Sequence, residues 1–132
     1  MGPKRFVEYA EDVTRLLQRH DLLYHLFADD MQGLLHGPVA VVPRIVSTFN
    51  HCFLDVSDWC ASKRLQLNAT KTEVLWFGTP ANLRKIPPGG GAIRAGSCNI
   101  DPATVVRNLG VMIDAELSMH EHVSCVTRAC FF

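Results

Sequence analysis

Residues Leu22-Leu23-Tyr24-His25-Leu26-Phe27-Ala28-Asp29-Asp30-Met31-Gln32-Gly33-Leu34-Leu35 decide how this chain is read. Two short apolar runs, 22–28 and 31–35, flank Asp29-Asp30, and Gly37-Pro38 closes the second. Apolar and aromatic runs on either side of turn-forming residues predict a β-hairpin. The link is neither Asn-Gly nor Asp-Gly, so the two runs carry this assignment and the turn dipeptide does not. Neighbouring residues of a strand point to opposite faces, so two adjacent carboxylates reach one region only where the chain turns sharply. A hairpin tip is such a place. Hard oxygen ligands there suit Mg²⁺, which keeps waters and phosphate oxygens in its other positions. The same four residues, 27–30, also read as an acidic turn facing water.

Upstream, Phe6, Tyr9, Val13, Leu16 and Leu17 recur every three to four residues, which predicts a helix over 6–19 with one apolar stripe. Downstream, Val42, Ile45, Val46, Phe49, Phe53, Val56, Trp59 and Cys60 give the strongest helical period, over 40–61. Pro43 suits its first turn, where the missing N–H has no internal partner anyway. Leu65 and Leu67 alternate with Gln66 and Asn68, and the apolar run 74–77 predicts a strand ended by Gly78. Pro80, Pro87, Pro88 and the triple glycine 89–91 predict a flexible loop over 79–91. The glycines lack the Gly-Lys-Ser/Thr that completes a phosphate cradle. Residues 92–114 predict two or three short strands broken by Gly96 and Asp101-Pro102, and 119–132 is a last amphipathic segment. It ends bare on Cys130-Phe131-Phe132, as expected of a segment cut from a longer domain. Helix, hairpin, long helix, further antiparallel strands and terminal helix make an α+β protein.

With 132 residues, 48% hydrophobic and 20% charged, the chain is apolar enough to bury the core of one domain and too apolar for disorder. Thirteen basic and thirteen acidic residues cancel, which argues against a strongly basic nucleic-acid binder. The charges are nonetheless separated. Residues 1–62 carry five basic and eight acidic side chains (−3), 63–107 seven and two (+5), and 108–132 one and three (−2). A basic middle block reads either as scattered surface charge or as a phosphate-facing patch. Five cysteines without a Cys-x-x-Cys pair suggest reduced thiols in a cytoplasmic or nuclear setting. His120, His122 and Cys125 match no compact zinc spacing. Asn68-Ala69-Thr70 fits the glycosylation pattern, but no secretory leader or membrane-length apolar run accompanies it.

Taken in order, the motifs resemble the reverse transcriptases of non-long-terminal-repeat (LINE-like) retrotransposons. The run 27–30 is similar to that family's variant of the Tyr-x-Asp-Asp catalytic hairpin. The long helix ending at Trp59 follows, then Lys63-Arg64 and Leu65-Gln66-Leu67-Asn68-Ala69-Thr70-Lys71-Thr72-Glu73, similar to the family's Leu-x-Leu-Asn-x-x-Lys-Thr-Glu motif. Asn108-Leu109-Gly110-Val111-Met112-Ile113-Asp114 resembles the Leu-Gly-Val-x-x-Asp strand before the thumb, with His122 at the start of the thumb helix. Gly2-Pro3, Phe6, Tyr9 and Asp12-Val13 resemble the segment just upstream of the catalytic hairpin, although Lys4 and Arg5 stand where apolar residues are expected.

The resemblance implies a partial polymerase palm. Residues 1–78 would be the palm remnant, 79–91 a loop, 92–118 strands leading to the thumb, and 119–132 the start of the thumb helix. It implies that Asp29 ligates catalytic Mg²⁺ with Asp30 as its acidic neighbour, and that Lys71 lies near the triphosphate of the incoming dNTP. Phe27 and Ala28 would form the floor under the primer end, and Leu109 and Gly110 would lie beside it. Lys63, Arg64 and the rest of the basic block would face phosphates of an RNA template or DNA primer. No small-molecule cofactor or membrane partner is expected. The family's chemistry also needs a third carboxylate on a strand well upstream, and Glu8, Glu11 and Asp12 cannot supply it from a helix. The parent activity expected is RNA-directed DNA synthesis by two-metal nucleotidyl transfer. The isolated chain is expected to be inactive, and the alternative is a non-catalytic retroelement remnant with at most weak nucleic-acid binding.

Overall fold

The computed structural model describes residues 3–27 and 30–130. Met1, Gly2, Ala28, Asp29, Phe131 and Phe132, and the side chains of Pro3, Lys4, Arg5 and Phe6, lie outside the described residues. The element order is α1 (Pro3–Arg19), β1 (Leu23–Phe27), β2 (Asp30–Leu34), α2 (Val42–Ser62), β3 (Val74–Leu75), α3 (Pro80–Leu83), β4 (Ile93–Ala95), β5 (Cys98–Ile100), β6 (Pro102–Ala103), β7 (Val105–Asn108), β8 (Val111–Asp114) and α4 (His120–Cys130). Mixed α+β architecture is therefore present, with the expected hairpin, long helix and terminal helix.

The apolar stripes of the two long helices account for the core. Leu16 and Leu17 of α1 meet Cys52, Val56 and Cys60 of α2, with Leu22 sealing the end and Leu26 and Met31 of the hairpin packed against them. Each of these side chains stabilises the fold by roughly 1.5–3 kcal/mol on burial. Both helices stop in the same way. Asp21 and Arg64 take left-handed φ of 55° and 58° just past the helix ends. The following amides reach back: Leu22 N–H donates to Leu17 O at 3.4 Å and Leu65 N–H to Cys60 O at 2.8 Å. This Schellman closure satisfies carbonyls that the helix leaves unpaired, with Asp and Arg in the position usually given to glycine.

Three expectations change. The alternating Leu65 to Asn68 run forms no strand; Asn68 Oδ1 instead accepts the Thr70 N–H at 3.1 Å and caps a single 3₁₀ turn, Ala69–Lys71. A side chain that can bond its own downstream backbone favours such a turn over a ladder. The 79–91 stretch contains a helical turn, α3, with Thr79 as its cap. Residues 93–114 hold five short strands, and β3 pairs with β6 in parallel. The other ladders, β1–β2, β4–β5 and β7–β8, are antiparallel, and among the described residues each strand pair stands alone. No described helix is long and apolar enough to cross a membrane.

Candidate functional site

The first hairpin has two unlike faces. Its register pairs Leu23 with Leu34, Tyr24 with Gly33, His25 with Gln32, Leu26 with Met31 and Phe27 with Asp30. Paired residues share a face, so Leu26 and Met31 turn inward onto the core while Leu23, His25 and Phe27 turn outward with Asp30, Gln32 and Leu34. Gln18 Nε2 donates to Tyr24 Oη at 3.1 Å and ties the inner face to α1. The outward face keeps Leu23 and Phe27 each 56% exposed, an apolar surface that the described residues leave uncovered. At its far end Asp30 is exposed and opposite Phe27, and the link 28–29 lies outside the described residues.

A second hairpin reaches this face. Gln32 Nε2 donates to Asn108 Oδ1, across 76 residues of sequence. Asn108 is the last residue of β7, and Leu109 and Gly110 connect it to β8. Both have positive φ, 48° and 83°. Two left-handed central residues make a type I′ turn, whose twist matches that of the strands it joins. Gly110 adopts this conformation freely, whereas at Leu109 it costs roughly 1–2 kcal/mol. That strained leucine is half exposed at the tip. The bond between Gln32 and Asn108 therefore ties the first hairpin to the strand end that precedes Leu109-Gly110, two elements expected to lie near a primer end. Sequence reading picked out neither partner, because nothing local marks a contact over that separation.

A second group of motif residues meets at the α1–α2 junction. Lys63 Nζ lies 3.2 Å from Asp12 Oδ2 and 5.6 Å from the centre of the Tyr9 ring. Tyr9 meets Trp59 edge to face, with centroids 6.3 Å apart. Lys63 thus has partners inside the protein. Arg64, Lys71, Arg84, Lys85, Arg94 and Arg107 are exposed and make no salt bridge among the described residues. Lys71 sits on the 3₁₀ turn that Asn68 caps, and among the described residues no hydrogen bond or ion pair joins it to the first hairpin.

Asp114, the acid that ends the third motif, organises a loop. Its carboxylate accepts from Ser118 N–H at 2.9 Å, Ser118 Oγ at 2.8 Å and Glu116 N–H at 3.0 Å. These donors, Ser118 first, hold its carboxyl below the usual carboxylate range. The amide of Met112 donates to His122 Nδ1 at 3.4 Å and fixes α4 beside β8.

The donor set among the described residues does not complete an Mg²⁺ site, and Asp29 lies outside them. Asp30 offers one carboxylate, and no three His, Cys, Asp or Glu side chains gather to hold a metal among the described residues. Mg²⁺ takes about six oxygens, one or two of them from protein carboxylates and the rest from phosphates and waters. Compared with models of protein families, with curated proteins and with solved structures, the chain matches none.

Proposed function

We propose that this chain is a palm segment of an RNA-directed DNA polymerase of the LINE-like retrotransposon class, contributing to nucleotidyl transfer only as part of a longer protein. The observation that carries the reading is the order and meeting of its motifs: the Phe27 to Asp30 hairpin, the turn bearing Lys71 and the Leu109-Gly110 tip follow in family order, and Gln32 joins the first to the last. In this reading Asp29 and Asp30 join a carboxylate from outside these residues to hold Mg²⁺, which when bound supplies charge to stabilise the attacking 3′-oxygen and the leaving pyrophosphate. Phe27, Ala28, Leu109 and Gly110 seat the primer terminus. Lys71 faces the triphosphate, and Arg64, with the other unpaired cations, faces template and primer phosphates. Lys63 holds α2 against α1 through Asp12, so its share in phosphate binding depends on releasing that partner.

The test is a chimaera. Residues 1–132 replace the corresponding segment of an active LINE-like reverse transcriptase, and primer extension on an RNA template is measured with Mg²⁺ or Mn²⁺. Extension that Asp29→Ala abolishes supports the reading; a folded chimaera without extension overturns it. The chain alone is expected to extend no primer.

The second reading, a remnant that binds nucleic acid without chemistry, is favoured by the six exposed cations of the basic block that make no salt bridge among the described residues. Its mark is salt-sensitive binding to primer–template together with an inactive chimaera.

A further inference from the structure

The parallel pairing of Val74 with Pro102 and Leu75 with Ala103 sets Asp101, the residue before β6, level with the start of β3, whose last residue is Leu75. The next residue, Trp76, is held in place: its indole N–H donates to Gly91 O at 2.8 Å. A Cβ on Gly91 would stand 2.5 Å from Trp76 Nε1, so only glycine lets the loop lie against this ring. Between Trp76 and the loop is a slot of about 390 Å³, walled by Leu83, Ile86, Pro87 and Pro88, with Asp101 on its edge. Asp101 is exposed and makes no side-chain hydrogen bond or salt bridge among the described residues. Arg84 and Lys85, exposed and unpaired, stand in sequence between the lining residues Leu83 and Ile86.

We propose that this slot takes one unpaired guanine base of a nucleic-acid strand. Its volume lies in the range of about 300–1,000 Å³ typical of small-ligand sites. A fixed indole between apolar walls offers a stacking platform, which every base can use. The carboxylate makes the choice. Guanine presents two parallel donors, N1–H and N2–H, to the two oxygens of Asp101. Adenine and cytosine present one donor beside a ring-nitrogen acceptor, and uracil or thymine one N–H between two carbonyls, so each sets a lone pair against a carboxylate oxygen. Arg84 and Lys85 attract the flanking phosphates whatever the sequence. The slot needs no metal and does not depend on the polymerase reading.

The test uses the whole chain and fluorescently labelled octauridine carrying one central guanosine, adenosine or cytidine, with matching DNA strands, followed by anisotropy at low salt. The guanine strand is expected to bind about tenfold more tightly than the others, the discrimination of one well-made base contact. Asp101→Asn removes that preference and leaves the weaker, salt-dependent binding. Replacing Arg84 and Lys85 together by alanine weakens all strands alike and lowers the salt slope by about two. A guanine preference in RNA, in DNA or in both supports the proposal and identifies the strand. Equal affinity for every base in both series, no binding at low salt, or a preference that survives Asp101→Asn overturns it. The comparison between bases needs no variant, so it stands even if a substitution unfolds the chain. An inactive chimaera in the extension assay leaves this result untouched.

Discussion

The helical half of the molecule and its hairpin-rich half are held by different forces. Among the described residues, nine apolar or thiol side chains are buried between α1 and Ser62, from Val13 to Cys60, whereas beyond Ser62 the buried apolar side chains are Ile93 and Ala95. Helix α4 has no buried residue, and its Val123 is 60% exposed. What holds the second half is largely polar: Arg94 N–H to Asn50 Oδ1 at 2.7 Å and Gln32 to Asn108 tie it to the first half, and Met112 N–H to His122 and the loop around Asp114 act within it. A net hydrogen bond contributes only about 0.5–1.5 kcal/mol, less than a buried leucine. The difference teaches where stability and ligand contact separate. The first half carries the fold, and the second carries tips and slots on short ladders.

Thiol chemistry gives the widest expected gap between the halves. Cys52 and Cys60 are buried, and Cys98, Cys125 and Cys130 are exposed. Burial, with Asp55 adding to it, pushes the Cys52 thiol up to about 11, and burial also raises Cys60. The thiolate is the reactive form, so alkylation at pH 8 should label the three exposed cysteines at least about a hundredfold faster than the two in the core, whose exposure needs an opening of several kcal/mol. The unfolded thiol ionises near pH 8.5 while the folded one stays neutral, so stability falls as pH rises from there toward 11. Mass spectrometry of timed labelling, site by site, decides it; five equal rates would erase the contrast.

Next in size is the cost of removing apolar atoms. Leu17 is 3% exposed at the centre of the helical core, and Leu17→Ala should cost about 3 kcal/mol in urea unfolding. Val123→Ala on α4 should change stability by no more than about 0.5 kcal/mol. A comparable loss at both sites would show that α4 has a partner on its apolar side that the described residues do not include.

Where the two halves differ in packing, they also differ in how much the sequence revealed. Helical periodicity located α1 and α2 because a three-to-four repeat must face something apolar: of the side chains named from it, Val13, Leu16, Leu17, Val42, Ile45, Val56 and Cys60 are buried, and Tyr9, Val46, Phe49, Phe53 and Trp59 are half-buried. The first hairpin was legible from its two apolar runs. Beyond Ser62 strands of two to four residues are too short to show a period. The parallel pairing of Val74 with Pro102 depends on a contact that no local pattern encodes. For the candidate site the sequence supplied residue types and order. It could not supply the Gln32–Asn108 bond, the capture of Lys63 by Asp12, or the lock of Trp76 on Gly91, because each arises from the folded path of the chain.

The smallest effect expected lies in the polar half and separates its forces from those of the core. Asp114 accepts hydrogen bonds from Ser118 and Glu116, which lower its affinity for a proton in the folded state. A folded pKa below the unfolded value gives stability that is fully present above the unfolded value, near pH 3.9, and is lost as pH falls through the lower, folded one. Asp114→Asn keeps the shape of the side chain but removes the titration. The stability difference between the parent and this variant should therefore be constant above about pH 5 and shrink steadily in more acid solution. The amide resonance of Ser118 should follow the same titration in the parent chain. Leu17→Ala offers the control, because a lost apolar contact has no proton to exchange and its cost should not vary with pH over that range. A difference for Asp114→Asn that stays flat down to the acid limit would mean that the Asp114 loop, like α1 and α2, is held by packing and not by charge.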